Sequence, residues 1–191
     1  MDERPEDRLV DEARRGGREA FAELVRRHER RVYGVCFRMA GDHAEADDLA
    51  QEVFLTAWRA IGSFRRNSSF YTWIYRIAVN TSLTHLKKKR REKARAAFDE
   101  NAAVPVPVPG APSSPEGSSA LNELKGRVDE AVGSLPAHFR ASFALVAGEG
   151  LSHRDAARVL GCSENCVAWR MHKARKLLRA RLRPFLEEVG S

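Results

Sequence analysis

The sequence predicts an all-α protein of two small helical domains joined by a flexible Pro-rich linker, the C-terminal domain a helix-turn-helix. Apolar residues recur at helical spacing through both halves, and strand-like alternation is absent. The stretch AAFDENAAVPVPVPGAPSSPEGSS interrupts that pattern in the middle of the chain. The expected boundaries are a domain over 1–95, a linker over 96–120 and a domain over 121–191.

In the first half, Phe21, Leu24, Val25, His28, Val32, Val35, Cys36 and Met39 form one apolar stripe. Ala46, Leu49, Ala50, Val53, Phe54, Ala57, Trp58 and Ile61 form a second. Gly16-Gly17 and Gly41-Asp42 punctuate them, with Asp42 placed to cap the second helix. A third helix is expected over Phe70–Arg91, burying Trp73, Ile74, Ile77, Ala78 and Leu86. The linker carries prolines at 105, 107, 109, 112 and 115, which forbid a helix. Fully extended, about 25 residues reach about 80 Å. Beyond it, Leu121, Leu124, Val128, Ala131 and Val132 share a face that ends at Gly133-Ser134. Pro136 then opens a helix holding Phe139, Phe143, Leu145 and Val146, which stops at Gly148-Glu149-Gly150.

The stretch LSHRDAARVLGCSENCVAWRMHKARKLLRARL has the form of two helices joined by a Gly-containing turn. Ser152 caps the first with Asp155 three residues on, and Ala156, Ala157, Val159 and Leu160 face inward. Gly161 permits the turn, and Ser163 caps a longer cationic helix. Val167, Met171, Ala174, Leu177 and Leu178 form its apolar face. Its outward positions are Glu164, Asn165, Ala168, Trp169, Arg170, His172, Lys173, Arg175 and Lys176. With Ser163, these are the residues expected to meet duplex DNA. The early positions would reach base edges and the later Arg and Lys would meet phosphate. A solvated basic face shows the same charge, so the DNA reading rests on the preceding LSHRDAARVLG as well.

A net charge of +7 favours a polyanionic partner. Cys36, Cys162 and Cys166 do not make a disulfide framework. Cys36 lies on an apolar face, and Cys162 and Cys166 lack a second ligand pair, so no metal and no cofactor is expected. No apolar run approaches the about 20 residues that cross a bilayer. The opening MDERPEDRLVDEARRGG has no signal-peptide core. The expectation is a reduced, cytoplasmic protein without direct membrane insertion.

The segment FRRNSSFYTWIYRIAVNTSLTHLKKKRR interleaves aromatics with cations, the composition that holds a single strand by stacking and by phosphate contacts. Phe64, Phe70, Tyr71, Trp73 and Tyr75 are stacking candidates, although for any single ring a core position is the commoner use. The loop Arg65-Arg66-Asn67-Ser68-Ser69 offers polar groups to the edge of an unstacked base. Lys87, Lys88, Lys89, Arg90 and Arg91 suit phosphate or simply water. Two other classes compete. A stand-alone helix-turn-helix transcriptional regulator would be a dimer on symmetric half-sites, with no use for the aromatic-basic block. A nucleic-acid-processing enzyme needs a ligand constellation that Asp47, Asp48 and Glu52 begin but do not complete.

The blocks DDLAQEVFLTAWRAIGSFRRNSSFYTWIYRIAVNTSLTHLKKKRR and SLPAHFRASFALVAGEGLSHRDAARVLGCSENCVAWRMHKARKLL closely resemble the extracytoplasmic-function (ECF) group of bacterial sigma factors, of the sigma-70 family. The resemblance covers nearly the whole chain outside the linker and the first few residues. It implies an alternative sigma factor, not an enzyme, that lends promoter specificity to RNA polymerase core. By that match Asp47, Asp48, Leu49, Gln51, Glu52 and Phe54 lie on the helix that docks on the polymerase clamp helices. Arg65, Arg66, Asn67, Ser68 and Ser69 form the loop that captures a flipped minus-ten base. Arg76 and Asn80 lie on the helix facing the melted strand. There Phe70, Tyr71 and Trp73 of the matching stretch and Lys87 and Lys88 of the basic run are the accompanying minus-ten candidates, and the helix Ser163–Leu178 enters the minus-35 element. Ser82–His85 and Cys166 depart from the usual pattern. The partners implied are bacterial RNA polymerase core, promoter DNA and an anti-sigma factor, often membrane-bound, that clamps the two domains.

Overall fold

The computed structural model describes residues 5–98 and 120–189. Among them run eight α-helices and no strand: α1 Glu6–Arg14, α2 Arg18–Ala40, α3 His43–Ala60, α4 Phe70–Phe98, α5 Ala120–Gly133, α6 Ala137–Phe143, α7 His153–Leu160 and α8 Glu164–Val189. A 3-10 turn, Ile61–Ser63, follows α3, and a π-helical turn, Ala144–Gly148, continues α6.

Helices α2, α3 and α4 form where the apolar stripes place them. Leu24, Val32, Val35, Cys36 and Met39 of α2 meet Ala46, Val53 and Ala57 of α3 and Ile74 and Ala78 of α4, all fully buried. Leu9, Val10 and Ala13 add the inner face of α1. Asp42 caps α3 as expected, its carboxylate accepting the Glu45 N–H at 2.9 Å. Burial pushes the Cys36 thiol up to about 12, with the buried Ser82 hydroxyl facing it. Cys36 is therefore an inert packing residue. Trp73, Ile77 and Leu86 are half-buried, whereas Phe70, Tyr75, Val79 and Ser82 join Ile74 and Ala78 inside.

α4 is longer than the predicted span. Its KKKRREKARAA run contains only residues that tolerate helix, with no Gly or Pro to stop it. Lys89 pairs with Glu45 of α3, and His85 reaches the same carboxylate at 3.1 Å. Burial raises the Glu45 carboxyl, but the hydrogen bonds from Lys89 and His85 outweigh it and leave the group below its usual range. Residues 96–98 thus belong to α4, and Ala120 to α5. The rest of the expected linker, 99–119, lies outside the described residues.

The second half builds its own small cluster from Ala131, Val132, Leu135, Ala174 and Leu178. The larger part of its core is shared: Ala141, Leu145, Ala156, Ala157, Val159, Val167 and Met171 belong to one apolar cluster with α2, α3 and α4. The two domains, expected as separate bodies on a tether, are packed together here. Leu177 also departs from expectation. It is 39% exposed because the inward stripe of α8 runs through Ala174 and Leu178 instead.

Polar contacts fasten the same junction. The π-turn, closed by Glu149 N–H donating to Ala144 C=O at 3.1 Å, carries Glu149 inward. Arg38 donates to the Glu149 carboxylate at 2.9 Å and the Tyr75 hydroxyl donates to it at 3.3 Å. Arg140 donates to Met39 C=O at 2.7 Å, to Leu135 C=O at 3.1 Å and to Gly133 C=O. Gly148 leaves room for Arg38: a Cβ there would come within 2.6 Å of the guanidinium.

Glu149→Ala removes a charge-assisted contact of about 2 kcal/mol, or about thirtyfold in the equilibrium between packed and separated halves. Gly148→Ala displaces the Arg38 partner. Small-angle scattering should therefore show a larger radius of gyration in both variants at unchanged helical content. An unchanged radius in both would show that packing does not depend on this carboxylate.

Candidate nucleic-acid interface

On α3, Asp47, Asp48, Gln51 and Glu52 are exposed and Phe54 is half-buried. Leu49, expected on the same docking surface, is instead 3% exposed and anchors α3 to the core. Helical geometry turns it about 200° from Asp47 and Gln51. The acidic strip borders a groove lined by Val25, Glu29, Arg30 and Tyr33 of α2 and by Ala50 and Phe54 of α3. Tyr33 hydrogen-bonds His43 Nδ1 at 2.5 Å, and its ring lies parallel to Phe37. Burial, then the charges of Asp47 and Asp42, push its phenol up, so it stays protonated. The contribution of α2 was hidden in the sequence because Val25 fits the core stripe equally well.

The second cluster is the turn before α4 and the exposed face of that helix. Arg65 and Asn67 are exposed and Ser68 is half-buried. Arg66 has a left-handed backbone, φ 56°, and reaches back to α1, donating to Asp7 C=O at 2.5 Å and pairing with Asp11 at 3.2 Å. Ser69 caps α4: its C=O accepts from Trp73 N–H at 3.2 Å and its hydroxyl meets Thr72 Oγ1 at 2.9 Å. Phe64, Phe70 and Tyr75 lie in the core, so none offers a stacking face. Phe70 packs on His28 and Trp73, which closes it off from solvent. Tyr71 and Trp73 are half-buried, leaning on Tyr75 and Phe64. Trp73, Arg76, Asn80 and Lys87 share one face of α4 by helical spacing; Arg76, Asn80, Lys87 and Lys88 are exposed. Arg76 also donates to Arg158 C=O of α7 at 2.6 Å.

The third cluster is the helix-turn-helix. Ser152 caps α7, accepting Asp155 N–H at 3.1 Å, and Ser163 caps α8, accepting Cys166 N–H at 3.2 Å. Gly161 between them is left-handed, φ 63°. Val167, Met171 and Ala174 are buried on one side of α8. Ser163, Glu164, Asn165, Trp169, His172, Lys173, Arg175 and Lys176 are exposed. Ala168 and Arg170 are half-buried, and Arg170 turns aside to donate to Cys162 Sγ at 3.8 Å. Burial pushes the Cys162 thiol up. No group of three or more metal-ligating side chains lies together among the described residues.

The arrangement is matched in sequence as well as in shape. The family described as Sigma-70 region 2 matches residues 24–92, and Sigma-70, region 4 matches residues 125–178. The RNA polymerase sigma-H factor of Pseudomonas aeruginosa is 34% identical over 96% of this chain and 97% of its own length. The ECF RNA polymerase sigma-E factor of Haemophilus influenzae is 33% identical over 93% of this chain and 95% of its own. The chain belongs to the ECF RNA polymerase sigma factors. Its fold agrees with two solved structures. CnrH, solved in complex with the cytosolic domain of CnrY, superposes with a TM-score of 0.67 at 27% identity, covering 94% of this chain and 99% of that one. The sigma factor RpoE of Bartonella quintana, solved with the anti-sigma factor NepR, shares the fold with a TM-score of 0.66 at 23% identity over 85% of this chain and 96% of its own.

This sigma factor is an alternative sigma factor, a transcription initiation factor. No helix among its described residues is long and apolar enough to cross a membrane. Its region 4 match contains α7, the turn and α8 as far as Leu178, and its region 2 match contains the acidic strip, the polar loop and most of α4. Gly161→Ala places a Cβ in a left-handed turn, a cost of about 1–2 kcal/mol. Calorimetry should show that loss as a lower unfolding temperature, with weaker duplex binding. An unaltered melting temperature would mean that the turn accommodates a side chain.

Proposed function

We propose that this sigma factor docks on RNA polymerase core through the acidic strip of α3 and the groove beside it. In this reading it melts and holds a minus-ten strand through the 65–69 loop and the outer face of α4, and inserts α8 at minus-35. It performs no bond chemistry itself; nucleotidyl transfer belongs to the polymerase. It works in the cytoplasm and is held inactive by an anti-sigma factor. One domain extends to about residue 95 and the other begins near 121.

The observation that carries the reading is the pairing in one chain of two different surfaces. One is an acidic, apolar-edged helix face beside a polar loop, and the other is a capped, cationic recognition helix. Asp47, Asp48, Gln51 and Glu52 complement a basic partner face. Arg65, Asn67 and Arg76 are exposed and in this reading would meet the strand, with Trp73 as the partly open ring. Unstacking a base costs a few kcal/mol, which contacts in such a pocket offset. Arg76 must leave Arg158 before it meets a phosphate or a base. An anti-sigma partner for this chain is suggested by the similarly folded sigma factor RpoE, solved with the anti-sigma factor NepR, and by CnrH, solved with the cytosolic domain of CnrY.

Added to active bacterial polymerase core, the protein should direct run-off transcription from a subset of a genomic promoter library. A core that transcribes with another sigma factor but yields no transcript here would overturn the reading. The paired change Asp47→Arg with Glu52→Arg should weaken core binding at least tenfold in a fluorescence titration, at unchanged circular dichroism. Equal binding would move the docking surface elsewhere. Asn67→Ala should slow strand opening, read by permanganate reactivity of unpaired thymines, while leaving duplex binding within about twofold. A parallel loss of both would assign Asn67 to the closed complex instead.

A further inference from the structure

Trp169 is 53% exposed and stands on α8 away from its buried stripe. At about 100° per residue it lies almost opposite Val167, Met171, Ala174 and Leu178. Asn165 and Lys173, one turn to either side, share its face and are exposed as well. The indole is held in place. Phe139 of α6 meets it edge-on with ring centroids 5.6 Å apart, and the Lys173 ammonium lies 5.9 Å from its centroid. Phe139 is itself backed by His138, ring centroids 4.1 Å apart, and by the second apolar cluster. Burial, then the charge of Arg170, keeps the His138 imidazole below its usual range, so this support stays uncharged at neutral pH.

A fixed, solvent-facing indole in the first third of a recognition helix needs an apolar partner in the groove. The base edges of the major groove carry one apolar group, the thymine C5-methyl. We propose that Trp169 is a specificity-determining residue that reads one thymine of the minus-35 element through its methyl group. This inference rests on the sigma-factor reading given above. The early position on α8 matches the part of such a helix that reaches base edges, whereas Lys173 and Lys176 beyond it meet phosphate. Arg170, which sequence alone places beside Trp169, is occupied by Cys162 and leaves the indole as the large group on that face.

The test uses the full chain in holoenzyme with bacterial polymerase core. A promoter duplex recovered from genomic fragments by that holoenzyme is resynthesised with each minus-35 thymine replaced in turn by deoxyuridine, which removes only the methyl. At one position the wild-type holoenzyme should bind about fourfold more weakly, the value of one buried methyl. Trp169→Ala should bind the thymine and deoxyuridine duplexes equally at that position. Trp169→Phe should keep part of the discrimination, and circular dichroism should show all three proteins equally helical. A selected promoter at which no thymine is sensitive, or which has none in this element, overturns the inference and leaves the sigma-factor reading intact. Undiminished sensitivity in Trp169→Ala does the same. If the holoenzyme selects no duplex at all, the sigma-factor reading fails and the inference falls with it.

Discussion

The carboxylate of Glu149 sits where the two halves of the molecule meet, with its side chain only 7% exposed. A carboxylate taken out of water must be paired and hydrogen-bonded, or it costs more than its surroundings return. Here the partners come from the other half, Arg38 on α2 and Tyr75 on α4. The π-turn delivers the group, and two glycines leave space for it. A Cβ on Gly34 would stand 3.0 Å from both the Arg38 guanidinium and the Glu149 carboxylate, and one on Gly148 would be closer still to Arg38. A glycine within α2, unfavourable for a helix taken alone, is explained by this close approach.

Arg140 fastens the same junction by a different means. Arg140 is half-buried, and its guanidinium donates to backbone carbonyls at the C-terminal ends of α2 and α5 and to Leu135. Helix C-termini carry partial negative charge and unsatisfied carbonyls, so an arginine placed where two of them converge is stabilised without an ion pair. Burial pulls its proton affinity below the usual value, although an arginine stays charged. Together Glu149 and Arg140 join the halves across the shared apolar core. The packing also reaches the exposed face of α4, because Arg76 donates to the Arg158 carbonyl while the halves are together.

In the proposed function, the two nucleic-acid faces differ in what they would offer. With Phe64, Phe70 and Tyr75 in the core, any stacking on the first half would fall to Tyr71 and Trp73, and more of the proposed contact would rest on the polar loop. Within that loop Arg66 holds α1 and Ser69 caps α4, so Arg65, Asn67 and Ser68 keep the freer polar groups. On the second half the face of α8 is longer, more cationic and mostly exposed, with caps at Ser152 and Ser163 fixing where each helix starts.

The sequence by itself determined what is local. Apolar spacing placed the helices, Asp42, Ser152 and Ser163 marked their starts, Gly161 marked the turn, and two ordered motif blocks carried the family. Each of these depends on residues within a few positions of one another, where backbone hydrogen bonding and side-chain periodicity decide the outcome. The tertiary structure alone decided which of several plausible faces is buried. Leu49 followed its apolar stripe inward, while Phe70 went inward and Leu177 outward because neighbouring helices, not their own periodicity, set the inward direction. It also set which cations stay free: Arg66, Arg76 and Arg170 each found a partner. The Arg38–Glu149 pair spans 111 residues of chain. Neither residue signals the other in sequence, since a long-range ion pair leaves no periodic trace and exists only once both halves have packed.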